Sequence, residues 1–359
     1  MANPHQNTYN RQIASWLMFC ATVILGMILL GGVTRLTDSG LSMVEWKPLL
    51  GVIPPLTDES WQQSFSKYQQ YPEYQKINHG MSLEEFKSIY YFEYAHRLLG
   101  RLIGILFLIP FLFFYFTRRL PRKLTPKLML LFALGGFQGL LGWYMVKSGM
   151  VDKPHVSQYR LTAHLGTAVL IYAYMLWLSW GLLEHQKSAV AAQRPGLRCF
   201  AHVITVLLFV MILSGGLVAG THAGLAYNNW PLMGQSFFPP GLYGTRPFWM
   251  AALEDIGTIQ FNHRMFAYLL CGLILVFVWR ALQAGVTGGL RNGVLMMVVF
   301  LVLQVSLGIS TLLYLVPVPL AAAHQGGAIL LFTTALFVSH RMARSVTVHE
   351  GRPSMAAVA

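Results

Sequence analysis

Apolar residues along this chain gather into eight long stretches separated by polar loops. They lie near residues 13–33, 93–117, 127–146, 161–183, 200–220, 258–280, 292–316 and 320–340. Each is long enough to cross a hydrocarbon layer as a helix of about 20 residues. The first is too long and continuous for a cleaved signal peptide. Nothing before Ile13 has the Arg- and Ser-rich character of a transit peptide, which favours a bacterial protein.

Composition narrows the class further. Charged residues make up 11% of the 359 positions, where a soluble globular protein carries about 25%. Hydrophobic residues make up 55%, and the mean hydropathy is +0.51. A soluble multidomain enzyme, a disordered chain and a disulfide scaffold are thereby excluded, and an all-α integral membrane protein with eight spans remains. Cys20, Cys199 and Cys271 are scattered without C-x-x-C spacing, so they indicate neither a zinc site nor a disulfide framework.

The net charge of +13 does not point to nucleic acid, because the basic residues follow the topology. The N-terminal tail, the 118–127, 184–199 and 280–291 loops and the C-terminal tail hold 14 Lys and Arg, five of them in residues 118–127. The opposite loops hold nine, spread over far more residues. The positive-inside rule places both termini in the cytoplasm. Thr34–Tyr91 and Thr221–Gly257 then become two large outer loops of 58 and 37 residues.

The chain also repeats itself. G-G-V-T-R-L-T-D-S-G-L-S-M-V-E-W (31–46) pairs with G-G-L-V-A-G-T-H-A-G-L-A-Y-N-N-W (215–230) at an offset of 184. His96-Arg97 pairs with His263-Arg264 at 167, so the first outer loop is longer by 17 residues. Gln138 and Gly142 pair with Gln304 and Gly308 at 166, and His164 pairs with His324 at 160. This predicts two tandem pseudo-symmetric four-helix bundles of the same orientation, residues 1–190 and 191–359, related by an axis along the membrane normal.

The repeat duplicates a candidate site. His96, His164, His263 and His324 all lie near the outer starts of inward-running spans, so each half has two histidines at one depth on separate helices. Facing imidazoles on neighbouring helices hold a haem iron through two axial ligands. Gly100 and Gly104 follow His96 at i+4 and i+8, Ala267 and Cys271 follow His263 likewise, and Gly166 and Gly326 follow the other two histidines. Such small residues admit a flat macrocycle or a close helix. Arg97, Arg101 and Arg264 lie within or beside the membrane, where a lone Arg costs about 2.5–3.5 kcal/mol on insertion scales, and haem propionates are candidate partners.

One position breaks the match: Glu93 stands where the second half has Gln260. Glu93 shares a helix face with His96 at i, i+3. Two readings stay open for it, a carboxylate that manages protons beside a haem and a structural partner of Arg97 at i+4. Trp46 and Trp230, at matched positions, are either lids over the site or interfacial anchors.

E-Y-A-H-R-L-L-G-R, T-H-A-G-L-A-Y-N-N-W-P-L-M-G, F-N-H-R-M-F-A-Y and A-A-A-H-Q-G-G-A-I-L-L resemble the haem A synthase family, and the resemblance runs through all eight spans. It implies an oxidoreductase of the bacterial inner membrane that oxidises the C8 methyl of haem O to a formyl group by successive hydroxylations. By the same resemblance, His263 and His324 ligate a resident haem b, His96 and His164 flank haem O, and Glu93 is the catalytic carboxylate. Implied partners are haem O synthase, oxidase assembly factors and an electron acceptor whose identity the residues do not reveal. A homo-oligomer also stays open, on the G-x-x-x-G faces. The first outer loop lacks the cysteine pair of some members, which places the chain with the cysteine-free branch. Two other classes remain beside this one: a dihaem b-type electron carrier and a transporter. Glu93 and the long first loop argue against the carrier. The scarcity of broken spans and midplane charge argues against the transporter.

Overall fold

The computed structural model describes residues 4–45, 52–149, 156–183 and 194–343. All eight expected spans are helices: α1 (Pro4–Leu36), α4 (Leu83–Phe116), α5 (Thr125–Gly149), α6 (Gln158–Leu183), α7 (Pro195–Gly220), α9 (Ile256–Gln283), α10 (Gly288–Leu313) and α11 (Val318–Ala343). Among the described residues of the two long loops lie three shorter α-helices, α2 (Asp58–Tyr68), α3 (Pro72–Lys76) and α8 (Phe248–Glu254), and a 3-10 turn at Ala223–Leu225. No β-strand occurs among the described residues. The chain is thus an all-helical, multi-pass membrane protein.

Two helix ends depart from the apolar pattern for local reasons. α4 starts at Leu83, well before its apolar stretch, because Ser82 and Glu85 form a reciprocal capping box. This polar extension buries Phe86 and Tyr90 against Trp61, Phe65 and Tyr68 of α2. Tyr68 stacks on Phe86 at 5.1 Å, and Trp61 meets Tyr90 edge-on at 5.0 Å. The seventh apolar run continues to residue 316, yet α10 ends at Leu313. Val316 precedes Pro317, whose ring bars it from the helical region. Leu315 and Val316 instead take φ of 63° and 57°.

The long helices form two adjoining rings of neighbours. One is α1, α4, α5 and α6, and the other is α7, α9, α10 and α11. α1 and α6 of the first pack against α7 and α11 of the second, and the largest apolar core runs through both rings. Glycines permit this approach. A Cβ at Gly166 would stand 2.7 Å from Leu213, and one at Gly326 would stand 3.1 Å from Leu29. These are matched pairs in the repeat. Across the same seam Gln325 Nε2 donates to the Ile28 carbonyl at 3.0 Å, and Tyr172 Oη lies 2.8 Å from Thr333 Oγ1. The expected boundary between the halves, at residue 190, lies outside the described residues.

Candidate functional site: two pairs of histidines

Each of the four histidines sits against a glycine of a neighbouring helix in its own ring. A Cβ at Gly31 of α1 would lie 3.1 Å from His96 Nε2, and one at Gly142 of α5 would lie 3.0 Å from His164 Cε1. In the second ring a Cβ at Gly215 of α7 would lie 3.6 Å from His263 Cε1, and one at Gly308 of α10 would lie 2.7 Å from His324 Cε1. Gly31 and Gly215 are matched positions of the repeat, and so are Gly142 and Gly308. All four rings are half-buried. His96 and His164 lie within electrostatic reach of each other, as do His263 and His324.

A glutamine attends one histidine of each pair. Gln138 Nε2 lies 3.4 Å from His164 Nε2 and donates to the His164 carbonyl at 2.9 Å. Gln304 Nε2 lies 3.4 Å from His324 Nε2. The Nδ1 atoms of His164 and His324 are buried without a hydrogen-bond partner among the described residues. A buried, unpartnered ring nitrogen is costly unless something occupies it. No group of three or more His, Cys, Asp or Glu able to hold a metal ion occurs among the described residues. Two imidazoles per site fit a metal whose equatorial positions are filled by a macrocycle, so the residues present fit haem.

The rings differ in how the partner histidine is held. Ser214 Oγ lies 3.1 Å from His263 Nδ1, a contact that fixes the orientation of that ring. The matched residue beside His96 is Leu30, whose side chain offers no hydrogen bond.

They differ again at Glu93. Its carboxylate is 3% exposed, and Ser42 Oγ and the Met43 amide both donate to Oε2, at 2.7 and 2.6 Å. Arg97 donates to Oε1 at 2.5 Å and to the carbonyls of Met43 and Glu45 at 2.9 and 3.2 Å. Glu93 and Arg97 therefore clamp the strip of chain that leaves α1 onto the start of α4. In the second ring Arg264 makes the matching clamp. It donates to the carbonyls of Tyr227, Asn229 and Leu232 at 2.8, 3.1 and 3.0 Å. Gln260 Nε2 joins it on the Tyr227 carbonyl at 3.0 Å, while Gln260 Oε1 is buried without a partner.

The structure thus brings the expected histidines together in pairs and joins Glu93 to Arg97. It engages Arg97 and Arg264 with loop carbonyls. Arg101 lies one helical turn beyond Arg97 on α4. Of the small residues singled out in the sequence, Gly166 and Gly326 serve helix packing between the rings. Gly100 faces Met27 of α1, and nothing lies within 4 Å of a Cβ at Gly104. Trp230 donates to Tyr268 Oη at 2.9 Å and remains half exposed, while Trp46 lies outside the described residues. Sequence reasoning missed the glycines at the rings, the two glutamines and Ser214. Gly142, Gln138 and their counterparts already recurred in register, and that recurrence was the available signal.

Fold and site together define a polytopic helical membrane protein whose two four-helix rings each carry two histidines within electrostatic reach of each other. A model of cytochrome oxidase assembly proteins matches residues 14–336. The chain is 51% identical over 335 residues to a "Heme A synthase" of Nitrosospira multiformis, covering 93% of this chain and 94% of the relative. It is 49% identical to one of Nitrosomonas eutropha, covering 92% and 93% respectively. A third, of Parvibaculum lavamentivorans, is 48% identical over 92% and 94%. The chain belongs to the haem A synthase family of cytochrome oxidase assembly proteins.

Proposed function

We propose that this chain is an oxidoreductase of the bacterial inner membrane that converts the C8 methyl of haem O to the formyl group of haem A. In this reading residues 1–190 hold haem O between His96 and His164, and residues 191–359 hold a resident haem b between His263 and His324. Both termini lie in the cytoplasm, and both histidine pairs lie toward the periplasm. The observation that carries the reading is the matched seating of four histidines against Gly31, Gly142, Gly215 and Gly308. Ser214 supports the division of labour, because a ring fixed at Nδ1 suits a permanent ligand and the unfixed His96 ring suits an exchanging one.

Haem b bound in the second half supplies an iron centre that accepts and passes on single electrons. The chain's own residues do the rest. His96 and His164 orient the substrate macrocycle, and the Glu93–Arg97 clamp holds the 42–45 strip over the loop-bearing end of the first ring. With water supplying the oxygen, converting methyl to formyl releases four electrons and four protons, and Glu93, one turn from His96 on α4, is the carboxylate that would relay the protons. Arg97, Arg101 and Arg264 are the candidate cations for the propionates, and Arg97 and Arg264 also hold the loops. Haem O synthase supplies the substrate, an acceptor takes the electrons, and oxidase assembly factors receive the product.

The test is mass spectrometry of haems extracted from membranes that co-express this chain with a haem O synthase. Haem A or its hydroxylated intermediate is expected only when this chain is present. Haem b with unaltered haem O would instead identify an electron carrier. Glu93→Gln is expected to lower haem A while haem b stays bound, and an unchanged haem A yield removes Glu93 from the chemistry.

A further inference from the structure

A groove of about 420 Å³ lies in the seam between α1 and α4, lined by Leu30, Ser88, Tyr91, Phe92 and Ala95. Its volume is within the range of about 300–1,000 Å³ usual for ligand sites. Leu30 is the neighbour of Gly31, which touches the His96 ring, and Ala95 is the neighbour of His96 itself. The groove therefore lies next to the His96 turn of α4 and reaches the outside of the bundle, where Tyr91 is 48% exposed.

The matched place in the second ring is lined and covered differently among the described residues. Leu30, Ser88, Tyr91, Phe92 and Ala95 correspond to Ser214, Asp255, Thr258, Ile259 and Asn262. Ser214 is bonded to His263, and Asp255 caps α9 by accepting from the Thr258 amide at 3.0 Å. The Tyr243 amide donates to Thr258 Oγ1 at 3.2 Å, and Tyr243 Oη donates to Asn262 Oδ1 at 2.8 Å. The loop around Tyr243 thus lies over this face, and Thr258 and Ile259 are 0% and 2% exposed. One ring carries an open apolar seam at its histidine, and the other carries a polar, covered one.

We infer that the α1–α4 seam holds the isoprenoid chain of the substrate haem and lets it run out toward lipid. The inference rests on the proposed function, since that substrate carries a long farnesyl chain and haem b carries none. A covered second site then admits only the chainless macrocycle. The open first site tolerates the chain because Ala95 is small and Leu30 replaces a serine. The seam therefore sorts the two haems between otherwise matched histidine pairs.

The test uses the full chain purified after co-expression with a haem O synthase, and it reads the ratio of farnesylated haem (O plus A) to haem b by chromatography. Ala95→Phe fills the seam and is expected to lower that ratio about tenfold, as overpacking of a fitted site does. Haem b titrated into the same variant is expected to bind both histidine pairs as in the unmodified chain, as followed by the reduced Soret band. Leu30→Trp, which narrows the seam from the α1 side, covers the case in which Ala95→Phe does not fold, and it is expected to act in the same direction. Ile105→Phe, on the exposed face of α4, controls for bulk. An unchanged ratio in the seam variants overturns this inference and leaves the function standing. Absence of farnesylated haem and of haem A from the unmodified chain overturns the function itself.

Discussion

Asp38 and His222 occupy matched positions 184 residues apart, and the structure brings them within 3.9 Å of each other. Both have left-handed backbones, with φ of 46° and 54°, just beyond the ends of α1 and α7. Equivalent points of a twofold arrangement meet only near its axis, and this contact is in keeping with the proposed tandem organisation. Arg35, whose counterpart is Ala219, occupies the junction. It pairs with Asp38 at 2.5 Å and donates to His222 Nε2 at 2.6 Å and to the Gly220 carbonyl at 3.4 Å.

The Arg35 junction ties the two rings together, and His222 must be neutral to accept from a guanidinium. A double-mutant cycle of Arg35→Ala and His222→Ala, read by thermal unfolding in detergent, is expected to show coupling. Because the junction is partly exposed, the coupling should be modest, about 0.5–1 kcal/mol. Strict additivity would refute the bridge.

The glycine series ranks itself by distance. Gly308→Ala places a methyl 2.7 Å from His324 Cε1, whereas Gly215→Ala places one at an ordinary 3.6 Å from His263. Gly308→Ala is expected to cost about 1–3 kcal/mol in ring placement and to cut haem at the second site about tenfold or more. Gly215→Ala should retain it. Haem content per protein, read from the reduced haemochrome spectrum, checks the order, and equal loss in both variants contradicts the seating described above.

Glu73 of α3 is 5% exposed, and one of its oxygens is buried without a partner. Burial first, then the nearby Glu93 charge, push its carboxyl up from 4.5 to about 8, while a hydrogen bond from Tyr68 partly offsets this. Asp38 adds to the rise and Arg35 opposes it. The folded loop holds the proton up to about pH 8 and the unfolded loop releases it near 4.5. This contribution to stability is therefore complete below about pH 4.5 and is lost as the pH rises through 8. Hydrogen exchange of the α2–α3 segment should quicken between about pH 4.5 and 8 beyond the intrinsic rate, and Glu73→Gln should abolish that excess.

Cys199 at the start of α7 is exposed, Cys20 is buried, and Cys271 is half-buried within α9. On the proposed topology, which puts both termini in the cytoplasm, a membrane-impermeant maleimide should label inside-out vesicles at Cys199 and leave intact spheroplasts unlabelled. Labelling of spheroplasts at Cys199 reverses the topology.

Much of the site was legible before folding because it recurs. His96, His164, His263 and His324 stand out in register, and the Glu93/Gln260 mismatch stands out against that register. Ser214 did not stand out, because a lone serine in an apolar run has no signature until His263 Nδ1 is found 3.1 Å away. The loop helices were hidden differently. Ser82-x-x-Glu85 is a capping-box pattern, but the apolar window that locates α4 starts only after it. Gly166 and Gly326 showed a need for close approach without revealing that the neighbour is a helix of the other ring.

The sequence by itself determined the eight spans, their charge asymmetry, the doubling of the histidines and the family. Each of these follows from hydrophobic run length or from residue identity at a fixed offset, and such signals survive without any knowledge of contacts. Only the tertiary structure decided which groups hold which. It set Glu93 into a clamp with Ser42, Met43 and Arg97, put Ser214 on His263 where Leu30 leaves His96 unheld, and left the α1–α4 seam open while Tyr243 covers its counterpart. Residues tens to hundreds of positions apart in the chain meet only when helices pack, and differences of one side chain at such meetings separate two rings that the sequence presents as near copies.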